Sequence, residues 1–348
     1  MNVTAALQAL AAAALFGLSP AVAKRLGLDM TPLAGSACLY GGAGLAMALA
    51  LAAGRGRSRE AGLRREDVPV LVAVVLVGGL GAPVALLFGL GHTTASTASL
   101  LLNLEMVFTA ALAVVLFREH LGARAALAAA LVVAGAAWLT FGPRADAGGA
   151  SAAAGGLAIA GACLGWGLEN NLTQKLSARD PRAIVACKGL GASACALVLV
   201  WATGAHWPSG RTAAAALVLG ALSYGTSLLL FIRALRALGA ARTGALFATA
   251  PFVGALASLA LLGERPSGRL LGAGVLMALG VALLVREHHE HAHTHDALEH
   301  EHLHVHDEHH QHAHRGDEGP EPHSHRHRHQ PITHTHPHAP DLHHRHGH

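Results

Sequence analysis

Charged side chains are scarce in this sequence. Only 13% of the 348 residues are Asp, Glu, Lys or Arg, about half the share of a soluble globular domain, and 52% are hydrophobic. Apolar runs of about 18 to 22 residues recur along the chain, each long enough to cross roughly 30 Å of hydrocarbon. An Ala-rich soluble bundle would need polar outer stripes on its helices, and these runs have none. The composition therefore predicts a polytopic helical membrane protein.

The sequence also lacks the signals of several other protein classes. It has no G-x-x-x-x-G-K-[ST] motif and no Ser/His/Asp or Cys/His arrangement suited to hydrolysis. The four cysteines lie in apolar runs without a C-x-x-C pair, which indicates packing residues. We therefore expect neither an enzyme nor a nucleic-acid-binding protein. We expect no required cofactor, and any transport would draw on an ion or solute gradient.

Ten apolar runs predict an all-α fold of ten transmembrane helices. The first basic residues, Lys24 and Arg25, follow the first run, so we interpret that run as a retained helix rather than a cleavable signal. The predicted spans are residues 3–23, 32–53, 68–89, 94–116, 124–141, 152–173, 183–203, 212–232, 243–262 and 268–285.

The distribution of cations predicts the orientation in the membrane. With the N-terminus inside, the inner loops and the tail junction carry 14 Lys and Arg residues, against 6 in the outer loops. Cytoplasmic loops carry the excess of basic residues. We expect a multi-pass protein of the cell inner membrane, in contact with the lipid bilayer, with both termini cytoplasmic.

The chain repeats itself. The segment "NLEMVFTAALAVVLFREHLGARAALAAALVVAGAAWL" aligns without gaps on "ATAPFVGALASLALLGERPSGRLLGAGVLMALGVALL" at an offset of 145 residues. "FGLSP" is echoed by "WGLEN" at an offset of 150 residues. Five spans in each half is an odd number, so the second copy is inverted. This plan is common in secondary transporters, and it divides the body into two five-helix repeats, 1–145 and 146–286.

These features together resemble the EamA family of the drug/metabolite transporter superfamily. The resemblance depends on the five-plus-five repeat, on "FGLSP" and "WGLEN", and on the Glu in "LFREHL" and "LLGERPS". It covers about residues 5–285. It implies a ten-helix inner-membrane carrier of small organic solutes, commonly an exporter of amino acids or metabolites, and it leaves the substrate open.

Ionisable residues inside spans are costly and usually mark a transport path. Glu169 near the end of span 6 and Lys188 near the start of span 7 are expected to face each other across the short turn "SARDPRA". Such a pair could bind the two ends of a zwitterion or exchange a proton. The alternative is a structural ion pair that locks the two spans together.

Further polar and aromatic residues are candidates for the same substrate or proton-coupling site. Glu105 is a second candidate proton carrier, and Glu119 and Glu264 at helix ends are expected to pair with Arg118 and Arg265. The polar candidates could equally be interhelical hydrogen-bonding groups, and the aromatic ones packing residues. The remaining candidates are Asn103, Trp166, Asn170, Asn171, Thr173 and Tyr224.

The C-terminal segment, residues 287–348, differs sharply in composition. It holds 24 of the 27 histidines and almost no aliphatic residues, so we expect it to be disordered. Imidazole is a ligand for Zn, Ni, Co and Cu, so we expect the tail to bind a divalent metal such as Zn, Ni or Co. The candidate ligands are His288, His289, His291, His293, His295, His300, His302, His304, His306, His309, His310, His312 and His314.

Two functions remain open at the level of sequence. In the first, the protein is a secondary carrier of a metabolite, amino acid or drug, coupled to an ion or proton, and the tail is a metal buffer or regulator. In the second, the protein transports or senses a divalent transition metal. The predicted spans contain no His and no Asp, which favours the organic solute. The sequence also allows a homodimer.

Overall fold

The computed structural model of the chain describes residues 2–26, 30–54, 61–117, 122–142, 149–176 and 179–285, together with four short strands in the tail. Within these ranges, ten helices are long and apolar enough to cross a membrane, which confirms the ten predicted spans. Spans 1 to 10 are Val3–Leu26, Pro32–Ala53, Arg65–His92, Ala95–Leu116, Ala123–Phe141, Ala150–Leu176, Pro181–Thr203, Gly210–Leu235, Arg242–Leu262 and Gly268–Val285.

Five of the spans are divided into shorter helical segments. Span 1 comprises Val3–Gly17 and Ser19–Leu26, span 4 comprises Ala95–Leu101 and Leu104–Phe117, and span 9 comprises Ala240–Phe247 and Ala250–Leu262. Span 3 comprises a 3-10 turn Arg65–Asp67, α-helix Val68–Val74, π-helix Val75–Gly81 and α-helix Ala82–His92. Span 8 comprises α-helix Gly210–Gly220, π-helix Ala221–Thr226 and α-helix Ser227–Leu238. The other α-helices are Pro32–Ala53, Ala123–Phe141, Gly149–Thr173 (followed by the 3-10 turn Gln174–Leu176), Pro181–Thr203 and Gly268–Val285.

The two π-helical segments lie at equivalent positions in the two halves. The offset of 145 residues that aligns the repeats maps residues 76–81 onto 221–226. Single wide turns of this kind are rare and often occur at functional sites. The symmetry therefore indicates the middle of spans 3 and 8 as the region where a functional site is expected.

Local signals explain where several spans begin and end. The side chains of Thr31 and Ser209 accept hydrogen bonds from the first helical turns of spans 2 and 8. Gly204 and Gly263 follow spans 7 and 9 with φ of 62° and 66°, the left-handed conformation that ends many helices.

Close helix packing brings the two halves together. Span 2 packs on spans 7 and 8, span 1 on span 8, span 3 on span 6, and span 5 on span 10. Gly44 and Gly189 meet where spans 2 and 7 cross, and a Cβ on Gly189 would lie 2.6 Å from the Gly44 nitrogen. Small residues at such crossings allow backbones to approach in the absence of a hydrophobic driving force. The repeats are therefore interleaved rather than side by side.

Both faces of the bundle carry polar contacts between spans. We call the face where span 1 begins and span 10 ends the terminal face. There, Arg179 in the loop after span 6 forms ion pairs of 2.8 Å with Glu66 and Asp67 at the start of span 3. On the opposite face, Lys24 at the end of span 1 donates to the backbone oxygens of Leu90 and Thr93.

Four short strands are described in the tail, whose expected disorder stays a prediction. The ranges are β1 (His289–His295), β2 (Glu299–His304), β3 (His323–Arg328) and β4 (Ile332–His338), and β1 pairs with β4 and β2 with β3, both antiparallel. Alternating His-x sequences have the period of two that a strand requires. Each ladder has only two strands, an arrangement that is marginal on its own.

Candidate functional site

Glu169 and Lys188 form an ion pair between spans 6 and 7. The distance between the Lys188 Nζ and the Glu169 Oε1 is 2.5 Å, and the two side chains are only 17% and 11% exposed respectively. The geometry arises from the antiparallel turn, because Asp180 caps the first turn of span 7 and Pro181 begins it. The contact anticipated from the sequence is therefore present, and its role in transport stays a prediction.

The π-helical segment of span 3 lies directly against this pair. Gly78 leaves room for the carboxylate, because a Cβ at this position would overlap the side chain of Glu169. The Gly78 oxygen accepts hydrogen bonds of 3.0 Å from both the Tyr40 hydroxyl and the Trp166 Nε1. The Lys188 Nζ lies 5.3 Å from the centre of the Tyr40 ring, within range of a cation–π interaction. Span 3 thus links an aromatic pair to the ion pair.

Glu105 belongs to a second polar group, between spans 4 and 6. Its Oε1 accepts a hydrogen bond of 3.0 Å from Asn170 Nδ2, which is also 3.2 Å from the Thr109 hydroxyl. The Asn171 Nδ2 instead donates hydrogen bonds to the backbone oxygens of Thr109 and Gly167. Among the described residues, no Lys or Arg forms an ion pair with Glu105.

Three buried polar atoms in spans 4 and 6 have no hydrogen-bond partner among the described residues. They are Asn103 Oδ1, Asn171 Oδ1 and Thr173 Oγ1. Buried polar atoms are normally hydrogen-bonded, so each unpaired atom calls for an explanation. A polar solute in this region could satisfy acceptors of this type, although Thr173 does not join the Glu105 group.

The aromatic candidates have different surroundings. Trp166 is buried beside Gly78, whereas Tyr224 in the π-helix of span 8 is partly exposed. The Tyr224 ring contacts the rings of Tyr40 and Phe16, with centroid distances of 5.6 and 5.9 Å. Tyr40 was not predicted from the sequence, although it contacts both the charged and the aromatic groups. The "VGGLG" pair of glycines in span 3 was the available sequence signal for a close helix contact here.

No metal site is found in the described residues. They contain no group of three or more His, Cys, Asp or Glu side chains placed to hold a metal ion. The four cysteines are free, and Cys187 is exposed rather than packed as predicted. Of the predicted metal ligands, His288, His306, His309, His310, His312 and His314 lie outside the described residues, and the others lie in β1 and β2. The proposed metal binding by the tail stays a prediction.

Glu264 has a different partner from the one predicted. Its two carboxylate oxygens accept hydrogen bonds of 2.7 and 2.9 Å from the backbone nitrogens of Ala95 and Ser96, at the start of span 4. A carboxylate is favourable there because a helix N-terminus exposes unpaired N–H groups and partial positive charge. Its repeat equivalent, Glu119, lies outside the described residues. Glu264 therefore joins span 9 to span 4 across the opposite face.

We expect Glu264→Gln to lower the melting temperature of the purified protein by about 2–4 °C, because it removes the charge from a helix cap worth about 1 kcal/mol. Differential scanning fluorimetry in detergent would measure this shift. Arg265→Gln is the matched control, because Arg265 is exposed and adjacent in sequence. If Arg265→Gln lowered the melting temperature more than Glu264→Gln does, the result would instead support the predicted pair between Glu264 and Arg265.

Ten membrane-length helices in two repeats, with ionisable residues inside the spans, define a multi-pass membrane transporter. The chain belongs to the EamA-like transporter family of the drug/metabolite transporter superfamily, which matches it twice, over residues 3–141 and 153–286. The two matches agree with the two repeats found in the sequence.

Two individual proteins illustrate the similarity. An "Uncharacterized transporter" from Methanothermobacter thermautotrophicus strain Delta H is 32% identical over 232 residues, covering 65% of this chain. The chain matches 66% of that relative's length. A solved crystal structure with 21% identity gives a TM-score of 0.60 over 82% of this chain and 97% of its own. That likeness concerns the fold alone.

Proposed function

We propose that the protein is a secondary carrier that exports a small organic solute, a metabolite, amino acid or drug, by alternating access. The observation that carries the proposal is the position of Glu105, Glu169 and Lys188 inside the spans, where two repeats meet. Charged groups at this depth are costly and are usually kept for binding or coupling. Inverted repeats provide a path that opens alternately to the two sides.

Coupling to a proton or another ion is the proposed energy source. Glu105 and Glu169 are the candidate carriers, because a carboxylate can release a bound proton when a solute arrives. Glu169 is held by Lys188, whereas Glu105 is held only by the amide of Asn170 among its described contacts. We therefore favour Glu105 as the residue that exchanges its proton.

The tail is proposed to bind Zn, Ni or Co as a buffer or regulator of the carrier. Its support is the density of histidines and the strand register, in which His289, His291 and His293 lie opposite His338, His336 and His334. A neutral imidazole suits all three metals. Transport or sensing of a divalent metal by the body is the alternative, and it would require ligands from the spans.

Vesicle transport would test the proposed function directly. Purified full-length protein in liposomes would be assayed with radiolabelled amino acids, organic amines, sugar phosphates and Zn²⁺, with and without a pH gradient. Movement of an organic solute that depends on the gradient supports the proposal. Movement of Zn²⁺ alone would favour the metal alternative, and a homodimer would be detected in the same samples by mass photometry.

The orientation predicts the location of two tags. A tag at the C-terminus is expected in the cytoplasm, and a tag within "GPRADAGGAS", between spans 5 and 6, is expected outside, since the cation bias favours this topology. Fusions to alkaline phosphatase and green fluorescent protein in the bacterial inner membrane would measure both positions. A fluorescent "GPRADAGGAS" fusion would contradict the orientation.

Truncation after residue 287 is expected to leave the body folded and active while removing most high-capacity Zn²⁺ or Ni²⁺ binding. The remaining chain keeps all ten spans. In the full-length protein, metal binding should weaken from pH 7 to pH 5. A free imidazole has a pKa of about 6.5, and once protonated it can no longer bind a metal ion. Calorimetric titration of both proteins at the two pH values would check this.

Unchanged metal stoichiometry in the truncated protein would move the metal site into the body. It would then favour the metal carrier over the organic-solute carrier. Loss of solute transport with a normal melting temperature would show that the tail takes part in transport rather than in metal storage alone.

A further inference from the structure

Aromatic side chains are few, and many of them meet at one place. The whole chain has eight Phe, four Trp and two Tyr. Both tyrosines belong to one continuous group that joins spans 1, 2, 6, 8 and 9, with ring centroids 5.0 to 5.9 Å apart and the Trp166 Nε1 3.4 Å from the Tyr40 hydroxyl. Its members are Phe16, Tyr40, Trp166, Tyr224, Phe231 and Phe247.

The charged side chains beside this aromatic group include more carboxylates than ammonium groups. Away from the span ends, the acidic and basic residues of the described spans are Glu105, Glu169 and Lys188. Lys188 pairs with Glu169, so an ionised Glu105 is left without a cation. Both Glu105 and Tyr224 are partly exposed, so neither is enclosed by its neighbours.

The repeat explains why the site has two unlike ends. At the offset of 150 residues, Trp166 and Glu169 correspond to Phe16 and Ser19, and at the offset of 145 residues Glu105 corresponds to Ala250. The positions that carry charge around spans 4 and 6 are therefore apolar or uncharged around spans 1 and 9. This gives an acidic end and an aromatic end.

Tyr40 lies between the two ends. Its ring is 5.6 Å from the Tyr224 ring on one side and 5.3 Å from the Lys188 Nζ on the other. A single aromatic ring therefore separates the acidic end from the aromatic end.

We propose that the substrate is an amphipathic organic cation, a protonated amine on a flat apolar body; this inference rests on the proposed carrier function. The ammonium group neutralises the surplus carboxylate at Glu105, and neutralisation lowers the cost of charge within the membrane. The apolar body packs on the partly exposed rings of Tyr224 and Phe16, whose faces also attract a cation. An anion would add to the negative surplus, and a zwitterion would leave it unchanged.

Four related probes test this inference by calorimetric titration of the full-length protein in lipid nanodiscs at pH 7.5. Phenethylamine carries both features, ethylamine lacks the ring, phenylacetate has the opposite charge, and phenylalanine is the zwitterion. We expect phenethylamine to bind at least about 10-fold more tightly than each of the other three. Equal or tighter binding of phenylalanine or phenylacetate, or no binding of phenethylamine, overturns the proposal.

Variants identify the two ends of the site. Glu105→Gln and Tyr224→Ala are each expected to weaken phenethylamine binding by about 10-fold or more. Tyr224→Phe keeps the ring and should retain binding, which separates loss of the ring from loss of folding. Glu66→Gln is the control, because it removes an exposed carboxylate on the terminal face. Unchanged binding in the Glu105 variant overturns the inference.

Parallel assays in liposomes distinguish this inference from the proposed function. Binding of phenethylamine without its transport would refute the carrier and leave the ligand class standing. Transport of phenylalanine without binding of phenethylamine would support the carrier and refute the ligand class.

Discussion

Glu169→Gln and Lys188→Met are each expected to reduce transport by at least about 100-fold, equivalent to about 3 kcal/mol, because substrate binding and coupling need both charges inside the spans. The pair is close, at 2.5 Å, and both side chains are largely buried. Initial rates in liposomes, normalised to the amount of inserted protein, would measure the loss. The double variant is expected to be as inactive as the single variants, because it lacks both charges.

Matched controls separate a role in transport from a structural role. Glu66→Gln and Lys175→Met change the same residue types at exposed positions, and both variants should transport normally. A purely structural pair would lower the melting temperature of the two single variants and would recover transport in the double variant. Inactive single and double variants with normal melting temperatures indicate that the charges themselves are needed for transport.

The architecture could be predicted from the sequence because its signals are local and repeated. Apolar runs of membrane length need no knowledge of tertiary contacts, and the ten spans follow from them. The pairing of Glu169 with Lys188 was predictable for a similar reason. A short turn joins the two antiparallel helices, so residues equally far from the turn lie at similar depth.

Contacts between distant spans could not be predicted in this way. Tyr40 reaches Gly78 and Trp166 only because spans 2, 3 and 6 meet, and no periodic pattern within one span indicates its neighbours. The π-helical segments are also invisible to hydropathy, because a wide turn in an apolar helix leaves the composition unchanged. Glu264 was assigned to the adjacent Arg265, whereas it caps a helix 169 residues earlier in the sequence.

Gly78→Ala is expected to abolish transport and to lower the free energy of unfolding by about 1–3 kcal/mol, the usual cost of overpacking a core. The added Cβ would overlap the Glu169 carboxylate and would also lie 2.8 Å from the Glu169 Cβ. Rotation of the Glu169 side chain removes only the first overlap, since its Cβ is fixed by the backbone of span 6. Spans 3 and 6 must therefore separate, which disturbs the Tyr40 and Trp166 hydrogen bonds to Gly78.

Gly161→Ala provides the control for this prediction. Gly161 lies in the same span as Glu169, is exposed, and has no neighbour within 4 Å of an added Cβ. Alanine is a better helix former than glycine by up to about 1 kcal/mol, so this variant should transport normally and be at least as stable as the wild type. Liposome transport and melting temperature would be measured for both. Full activity of Gly78→Ala would show that the carrier does not need span 3 to contact Glu169, and the site would then have to be placed around Glu105 alone.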